Sequence, residues 1–414
     1  MRFWEGLSKT SAGLDMKRFS FAMLLLVAMA RCFAIDGILV QTIDYSIREK
    51  WACTPAASMP MIPNSDTVFR GQTIYLSAIV GDYRLDTKGC ADVVLSVEVF
   101  RPDGSEYYSV KEQPFMDGYA GYMDGRFQMS STFLSVTFEN KDPLGSYGIK
   151  MLITDRVSHT SKMLESKVEL VELPAYDHFT FTDEERLMDW VNNYHRCPQP
   201  EKALAAYLYI CPKYGDDETA LIPLLGLMLE IFQHNQFLYP QLSECYDKQS
   251  EDIQNYLDLL MYYLGIGRED FTQSVGEEVQ LILDLLQETL YPEKSGVIVT
   301  PIQLDVLWGK FLASGSYEPV LKLIKTLDYV KYRGSMKKVN WKNWDHVSDQ
   351  KKQEALNEMI YEALRWSLHS NCKQFPLVRQ YCEWALSDGN LTGTQRRELQ
   401  KVLSAKNIAK PSVF

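Results

Sequence analysis

Hydrophobic and polar residues alternate with a period of two in the first part of the chain. This alternation predicts half-buried β-strands in four segments, which are 93–100, 133–139, 146–154 and 167–173. Turn-forming residues separate them, such as Pro102, Asp103 and Gly104 after the first segment. Because each strand has one apolar face, a second sheet must cover it, and the pattern predicts an antiparallel β-sandwich.

Downstream of Pro174 the apolar residues recur at helical spacing instead. The spacing and the capping residues predict eleven helices, at 182–196, 200–211, 220–233, 238–247, 251–264, 275–290, 303–313, 318–327, 350–369, 376–386 and 393–405. Segments 221–232 and 256–264 are apolar nearly all round, so we expect them inside a helical stack. No fixed repeat is present, and the pattern predicts an all-α, irregular helical-hairpin array.

A short apolar run near the start predicts export. The run at 19–30 follows Lys17 and Arg18, and small residues at Cys32 and Ala34 offer a cleavage site. This order is typical of a secretory signal peptide. The run is shorter than the roughly 20 apolar residues of a membrane-spanning helix. We therefore expect an exported chain without a transmembrane segment after signal cleavage, in the periplasm or outside the cell.

These patterns divide the chain into four parts and predict a multidomain α+β fold. They are an N-terminal extension with the signal peptide, an extended lead-in, the β-sandwich and the α-helical domain, at 1–34, 35–66, 67–173 and 174–414. The true start, Met1 or Met16, is left open, and so is a retained N-terminal arm.

The charge balance argues against a nucleic-acid partner. The whole chain has a formal net charge of −11. The first 34 residues contain five basic and two acidic side chains, so their removal leaves a more acidic chain. A polyanion needs a concentrated basic face, which an acidic chain of this kind does not predict.

Three motifs between residues 67 and 173 resemble the immunoglobulin-like sandwich modules of exported bacterial proteins. They are FRGQTIYL, VEVFRPDGSEYY and FENKDPLGSYGIKMLITD. The resemblance implies an immunoglobulin-like fold and an exported bacterial setting, and it implies no chemistry. Segment 305–318, DVLWGKFLASGSYE, is similar to helical domains of uncharacterised exported bacterial proteins.

The cysteines allow one disulfide in the β-rich region. An exported chain meets an oxidising environment, in which disulfides form and persist. Cys53 and Cys90 flank the first part of that region, and we expect them to pair. Four other cysteines lie in or beside apolar helical sequence and read as buried structural thiols, namely Cys211, Cys245, Cys372 and Cys382.

Signatures of catalysis are missing from the sequence. The six histidines never fall at the i, i+4 spacing of a zinc-binding helix, and no C-x-x-C, G-x-S-x-G or phosphate-binding loop occurs. We therefore expect no metal, no cofactor and no catalytic residue. Paired carboxylates across a sugar-sized cleft stay open as an alternative, because sequence cannot show their spacing.

Two segments are candidate binding sites. Segment 114–127 brackets Tyr119 and Tyr122 with Asp-Gly turns, and its tyrosines could stack on a sugar or a peptide or fold back onto the sandwich. Segment 331–352 has seven basic and two acidic residues and also carries tryptophans. Its candidate residues, which could bind an anionic glycan, a lipid headgroup or an acidic partner, or pack on the helices, are Lys337, Lys338, Trp341 and Trp344.

We therefore expect an exported, non-enzymatic interaction or binding protein of the bacterial cell envelope, with a protein or an envelope component as its partner. The alternative is a carbohydrate-active enzyme with a compact helical catalytic domain. Sequence leaves the identity of the partner and the oligomeric state open.

Overall fold

The fold is mixed α+β: residues 36–171 contain two β-sheets, and helices dominate the remainder. The computed structural model describes residues 35–55, 58, 60–120, 127–129, 133–215, 217–267 and 277–411. The expected signal peptide and N-terminal extension at 1–34 lie outside these residues. Within them, no helix combines the length and the apolar character that a bilayer crossing requires.

Nine strands of the described residues form the two sheets. In chain order they are β1 (Asp36–Thr42), β2 (Thr67–Phe69), β3 (Thr73–Gly81), β4 (Cys90–Phe100), β5 (Glu106–Ala120), β6 (Gln128–Met129), β7 (Leu134–Thr137), β8 (Gly145–Asp155) and β9 (Thr160–Val171). One sheet has the order β1-β3-β6, with β7 also on β3, and the other has the order β2-β9-β8-β4-β5. All four strand segments expected from the sequence lie in β4, β7, β8 and β9 or overlap them.

The alternation of apolar residues places one core between the sheets. In β8, Tyr147, Ile149 and Met151 are buried on one face while their neighbours in sequence are not. Ile74 and Leu76 of β3, in the other sheet, belong to the same hydrophobic cluster. The hairpin between β4 and β5 needs a residue with positive φ, and Gly104 adopts a φ of 83° there.

Residues 36–52 are not part of an extended lead-in, which the sequence predicts over 35–66. Strand β1 pairs with β3 along its whole length, from Asp36 opposite Gly81 to Thr42 opposite Tyr75. A six-residue helix, α1 (Ile47–Ala52), follows it. The strand has polar residues at both ends and the helix spans fewer than two turns, so neither leaves a long periodic signal.

The helical half contains all eleven expected helices, each overlapping its predicted segment. With one short addition, α8, the described helices are α2 (Glu184–Asn193), α3 (Ala203–Tyr214), α4 (Glu218–His234), α5 (Tyr239–Tyr246), α6 (Glu251–Leu264), α7 (Glu277–Leu290), α8 (Pro292–Ser295), α9 (Ile302–Ser314), α10 (Tyr317–Thr326), α11 (Asp349–Gln374), α12 (Pro376–Ser387) and α13 (Gly393–Ser404).

Two hydrophobic cores organise these helices. The first is built mainly from 176–291 and the second mainly from 298–402. Helices α4 and α9 approach closely where the two cores meet. Gly309 permits this contact because it has no side chain, and a Cβ atom there would lie 2.7 Å from the carbonyl oxygen of Pro223. The apolar segment of α4 therefore lies inside the helical stack, as its sequence predicts.

A buried ion pair joins the end of β1 to the helices. Lys50 Nζ lies 2.5 Å from Asp44 Oδ2 and donates a hydrogen bond of 3.1 Å to the carbonyl oxygen of His195. Ser46 Oγ lies 2.7 Å from Asp44 Oδ1 and 2.7 Å from the carbonyl oxygen of Ser314. Gly315, at a φ of 66°, leaves room for the lysine, because a Cβ atom there would lie 2.4 Å from Lys50 Cε.

Cys53 and Cys90 do not form the disulfide that the sequence predicts. Both thiols are free. Cys53 packs against the second helical core, whereas Cys90 is the first residue of β4. The expected pairing assumed that both residues belong to the β-rich region, but α1 carries Cys53 to the helices.

Replacing Lys50 with methionine leaves the buried Asp44 carboxylate without its cation. We expect the free energy of unfolding to fall by about 3 to 5 kcal/mol, as measured by urea denaturation. Arg48→Met is the matched control, because Arg48 is an exposed residue of the same helix, and it should change stability by less than about 0.5 kcal/mol. Equal effects of the two substitutions would contradict the role assigned to the ion pair.

Candidate functional site

Segment 331–352 is folded against helix α11. It contains short 3-10 helices at Met336–Lys338 and Trp341–His346, and its first two residues end a third one at Leu327–Tyr332. The carboxylate of Glu358 on α11 accepts hydrogen bonds of 2.6 Å from the backbone N–H groups of Gly334 and Met336. This side chain is only 6% exposed. A buried, charge-assisted contact therefore holds the segment in place.

The two tryptophans of this segment stack on each other. The ring centroids of Trp341 and Trp344 are 5.1 Å apart, and the ring planes differ by 6°. Trp341 Nε1 donates to the carbonyl oxygen of Met336 at 3.3 Å, and Lys352 Nζ lies 5.6 Å from the Trp344 ring. Trp341 is nevertheless 48% exposed. The expected alternative, tryptophans packed on the helices, does not describe Trp341.

Exposed lysines lie beside the tryptophan pair. We define the tryptophan–lysine surface as Lys337, Lys338, Trp341, Lys342 and Trp344. Its three lysines are exposed. Across the described part of the chain, no carboxylate forms an ion pair with any of them, whereas Lys352 pairs with Asp349 at 3.8 Å. Of the four residues predicted for this segment, Trp341 and Trp344 contact each other, and Lys337 and Lys338 are exposed residues of the 3-10 helix whose first residue, Met336, accepts the hydrogen bond from Trp341.

The described residues include only part of the other expected binding segment, 114–127. Tyr119 belongs to strand β5. Tyr122 lies outside the described residues, as does the side chain of Tyr119.

A second polar site lies where α1 meets the helices. A cavity of about 250 Å³ has three glutamates in its wall and is lined by Tyr45, Glu49, Glu230, His234, Leu307, Lys310, Ser316, Glu318 and Pro319. Tyr45 stacks on His234 with ring centroids 3.5 Å apart and donates a 2.7 Å hydrogen bond to Glu230. His234 Nε2 lies 3.3 Å from the same carboxylate. Sequence reasoning missed this cavity because its residues are far apart in the chain.

Two glutamates of this cavity have pKa values shifted in opposite directions. Burial raises the pKa of Glu49, although this carboxylate accepts a 3.1 Å hydrogen bond from the backbone N–H of Glu318 in the first turn of α10. Burial also acts to raise the pKa of Glu230, but hydrogen bonds from His234 and Tyr45 lower it below its ordinary value. Both carboxyl groups thus have a structural partner.

Within the described residues, no three histidine, cysteine or acidic side chains converge as they would around a metal ion.

Comparisons with known proteins identify no family. No family model matches the sequence, and no curated protein matches it. One similar solved structure is a family 123 glycoside hydrolase from Clostridium perfringens, at 9% identity and a TM-score of 0.19. The alignment covers 44% of this chain and 36% of that enzyme. The chain therefore spans about a third of the enzyme's length, and a likeness of this size carries no argument about fold or function.

Replacing Glu230 with glutamine removes the charge that accepts hydrogen bonds from Tyr45 and His234. We expect the free energy of unfolding to fall by about 1.5 to 3 kcal/mol near neutral pH. Because the pKa of Glu230 lies below its ordinary value of 4.5, the wild-type advantage is complete above that value. It is lost as the pH falls through the folded-state pKa.

Urea denaturation of both proteins at about pH 7 and about pH 3 measures this difference. Glu244→Gln is the control, since Glu244 forms an exposed pair with Lys248 and should matter by less than about 1 kcal/mol. A Glu230→Gln deficit of the same size at both pH values would contradict the assignment.

Proposed function

We propose that this chain is an exported, non-enzymatic binding protein of the bacterial cell envelope, and that the tryptophan–lysine surface is its contact site for anionic phospholipid headgroups. The observation that carries the proposal is the stack of Trp341, which is 48% exposed, on the half-buried Trp344, in a segment that also has three exposed lysines. Indole rings favour the boundary between headgroups and acyl chains, where the apolar ring and the N–H group are both accommodated.

The charge distribution supports a single orientation at such a membrane. The chain as a whole carries a net charge of −11, so most of its surface is repelled by an anionic bilayer. Lysines near an anionic surface each contribute about 1 kcal/mol of attraction. Lys337, Lys338 and Lys342 together supply about 3 kcal/mol on this basis.

The proposed setting rests on sequence and fold. The segment at 16–34 has the order of a secretory signal peptide. We further propose that the two sheets form an immunoglobulin-like sandwich, which includes β1 in addition to the expected residues 67–173. The shared core of the two sheets supports this assignment, because residues of both contribute to one hydrophobic cluster.

The alternative, a carbohydrate-active enzyme, would use the cavity at α1. The opposite pKa shifts of Glu49 and Glu230 favour it, since an acid and a base with separated pKa values are what such catalysis needs. The existing partners of both carboxyl groups argue for structural roles instead. Release of sugar from envelope glycans by the wild-type chain, but not by Glu49→Gln, is the result that would favour the enzyme.

Reversing two charges of the tryptophan–lysine surface should weaken membrane binding. We expect Lys337→Glu/Lys338→Glu to reduce affinity for vesicles of phosphatidylethanolamine and phosphatidylglycerol by roughly 30-fold or more, because two attractions of about 1 kcal/mol each are lost. Trp341→Ala should reduce it by roughly ten-fold through the lost indole burial. Vesicle co-sedimentation measures both affinities.

The matched control is Lys88→Glu/Lys111→Glu, which reverses two exposed lysines in the β-sheet region. It should bind the anionic vesicles at least about ten times more tightly than Lys337→Glu/Lys338→Glu does. Neutral phosphatidylcholine vesicles should bind none of the proteins. Equal losses in the two lysine pairs, or equal binding to neutral and anionic vesicles, would refute the proposed contact site.

A further inference from the structure

Two cysteines face each other across a helical hairpin. Cys372 lies near the end of α11 and Cys382 lies in α12. A single residue, Phe375, connects the two helices. The Sγ atoms are 3.7 Å apart. Among the seven described cysteines, all of them free thiols, this is the sole sulfur–sulfur hydrogen bond.

The pair lies inside the second helical core. Cys372 is 8% exposed and Cys382 is 0% exposed. Sequence reasoning treated both as separate buried thiols, because nothing in the sequence shows that α11 and α12 bring them together. Their approach distinguishes them from Cys211 and Cys245, which are buried in the first helical core.

We propose that Cys372 and Cys382 are an oxidation site and form a disulfide that ties α11 to α12. Disulfide formation requires the sulfur atoms to come about 1.7 Å closer, to a bond length of about 2.05 Å. The bond closes a loop of eleven residues. Because such a loop is disordered in the unfolded chain, closing it stabilises the folded state.

The oxidant is a second disulfide, that of oxidised glutathione or of a thiol–disulfide oxidoreductase. One cysteine thiolate attacks the oxidant and releases one thiolate, which leaves a mixed disulfide. The other cysteine, after losing its proton, then attacks the mixed disulfide and releases the second thiolate. The two cysteines lose two electrons and two protons, and the oxidant is reduced to two thiols.

Burial of the two thiols determines the stage of folding at which the disulfide forms. The hydrogen bond with Cys372, together with burial, raises the pKa of Cys382 well above its ordinary value. The thiolate is the attacking species, so oxidation of the folded protein is slow. Oxidation therefore occurs during folding, before the second core closes, and the finished bond is protected from reductants by the same core.

The test is refolding of the full chain in a glutathione redox buffer. Thiols are counted by maleimide labelling in denaturant, and the linked peptides are identified by mass spectrometry. The chain has eight cysteines, and we expect two of its thiols to be lost, with Cys372 linked to Cys382. Oxidation should raise Tm by roughly 5 to 10 °C, and a reductant added in denaturant should reverse the gain.

Cys372→Ser should retain all of its thiols, whereas Cys245→Ser, a matched control in the other core, should still lose two. Eight free thiols in the refolded wild-type chain would overturn the site, and so would a different pairing such as Cys53 with Cys90. The peptide map of the wild-type chain gives this answer even if a variant does not fold.

The oxidation of the cysteine pair in cells rests on the proposed export. The two experiments distinguish a failure of the export proposal from a failure of the disulfide proposal. Acid quenching and alkylation of bacteria that make the protein should trap the Cys372–Cys382 disulfide. A pair that oxidises on refolding but is reduced in cells would overturn export and leave the site intact. A pair that does not oxidise on refolding would overturn the site and leave export untouched.

Discussion

The buried ion pair between Lys50 and Asp44 lies where the N-terminal residues meet the helices, and the hydrogen bonds around it cross between the two halves of the chain. Removing two charges from water is costly, and the pair is tolerated because additional hydrogen bonds surround it. The lysine reaches the carbonyl oxygen of His195, and Ser46 reaches that of Ser314. Strand β1 thus delivers α1 to the helices in one position, with Glu49 of α1 at the start of α10.

The tryptophan–lysine surface depends on the helices that follow. Helix α9 is buried along most of its length between the two cores, and α10 and α11 pack in the second core. Glu358 on α11 then fixes the backbone of Gly334 and Met336, which places Trp341 on the outside. The indole of Trp341 is 48% exposed, and the backbone next to it is held by the hydrogen bonds that Glu358 accepts.

Local patterns in the sequence predicted local structure well. Helix α13 begins at Gly393, the first residue of its predicted segment, and the side chain of its N-cap, Thr392, forms a capping box with Gln395. The sequence could not show contacts between distant residues, such as Lys50 with His195, which are 145 positions apart. The same limit explains the cysteines. Cys53 and Cys90 flank one region of sequence, but α1 separates them by carrying Cys53 to the helices. The stacking of the tryptophans was likewise invisible, although their segment was recognisable by its charge.

Hydrogen–deuterium exchange of the wild-type chain, with and without vesicles of phosphatidylethanolamine and phosphatidylglycerol, tests the account most directly. Amide exchange reports local protection along the backbone. We expect the vesicles to slow exchange in peptides covering 336–346 and to leave exchange in the β-sheet region unchanged. Protection confined to the β-sheet region, or unchanged exchange throughout a chain that co-sediments with the vesicles, would contradict this expectation.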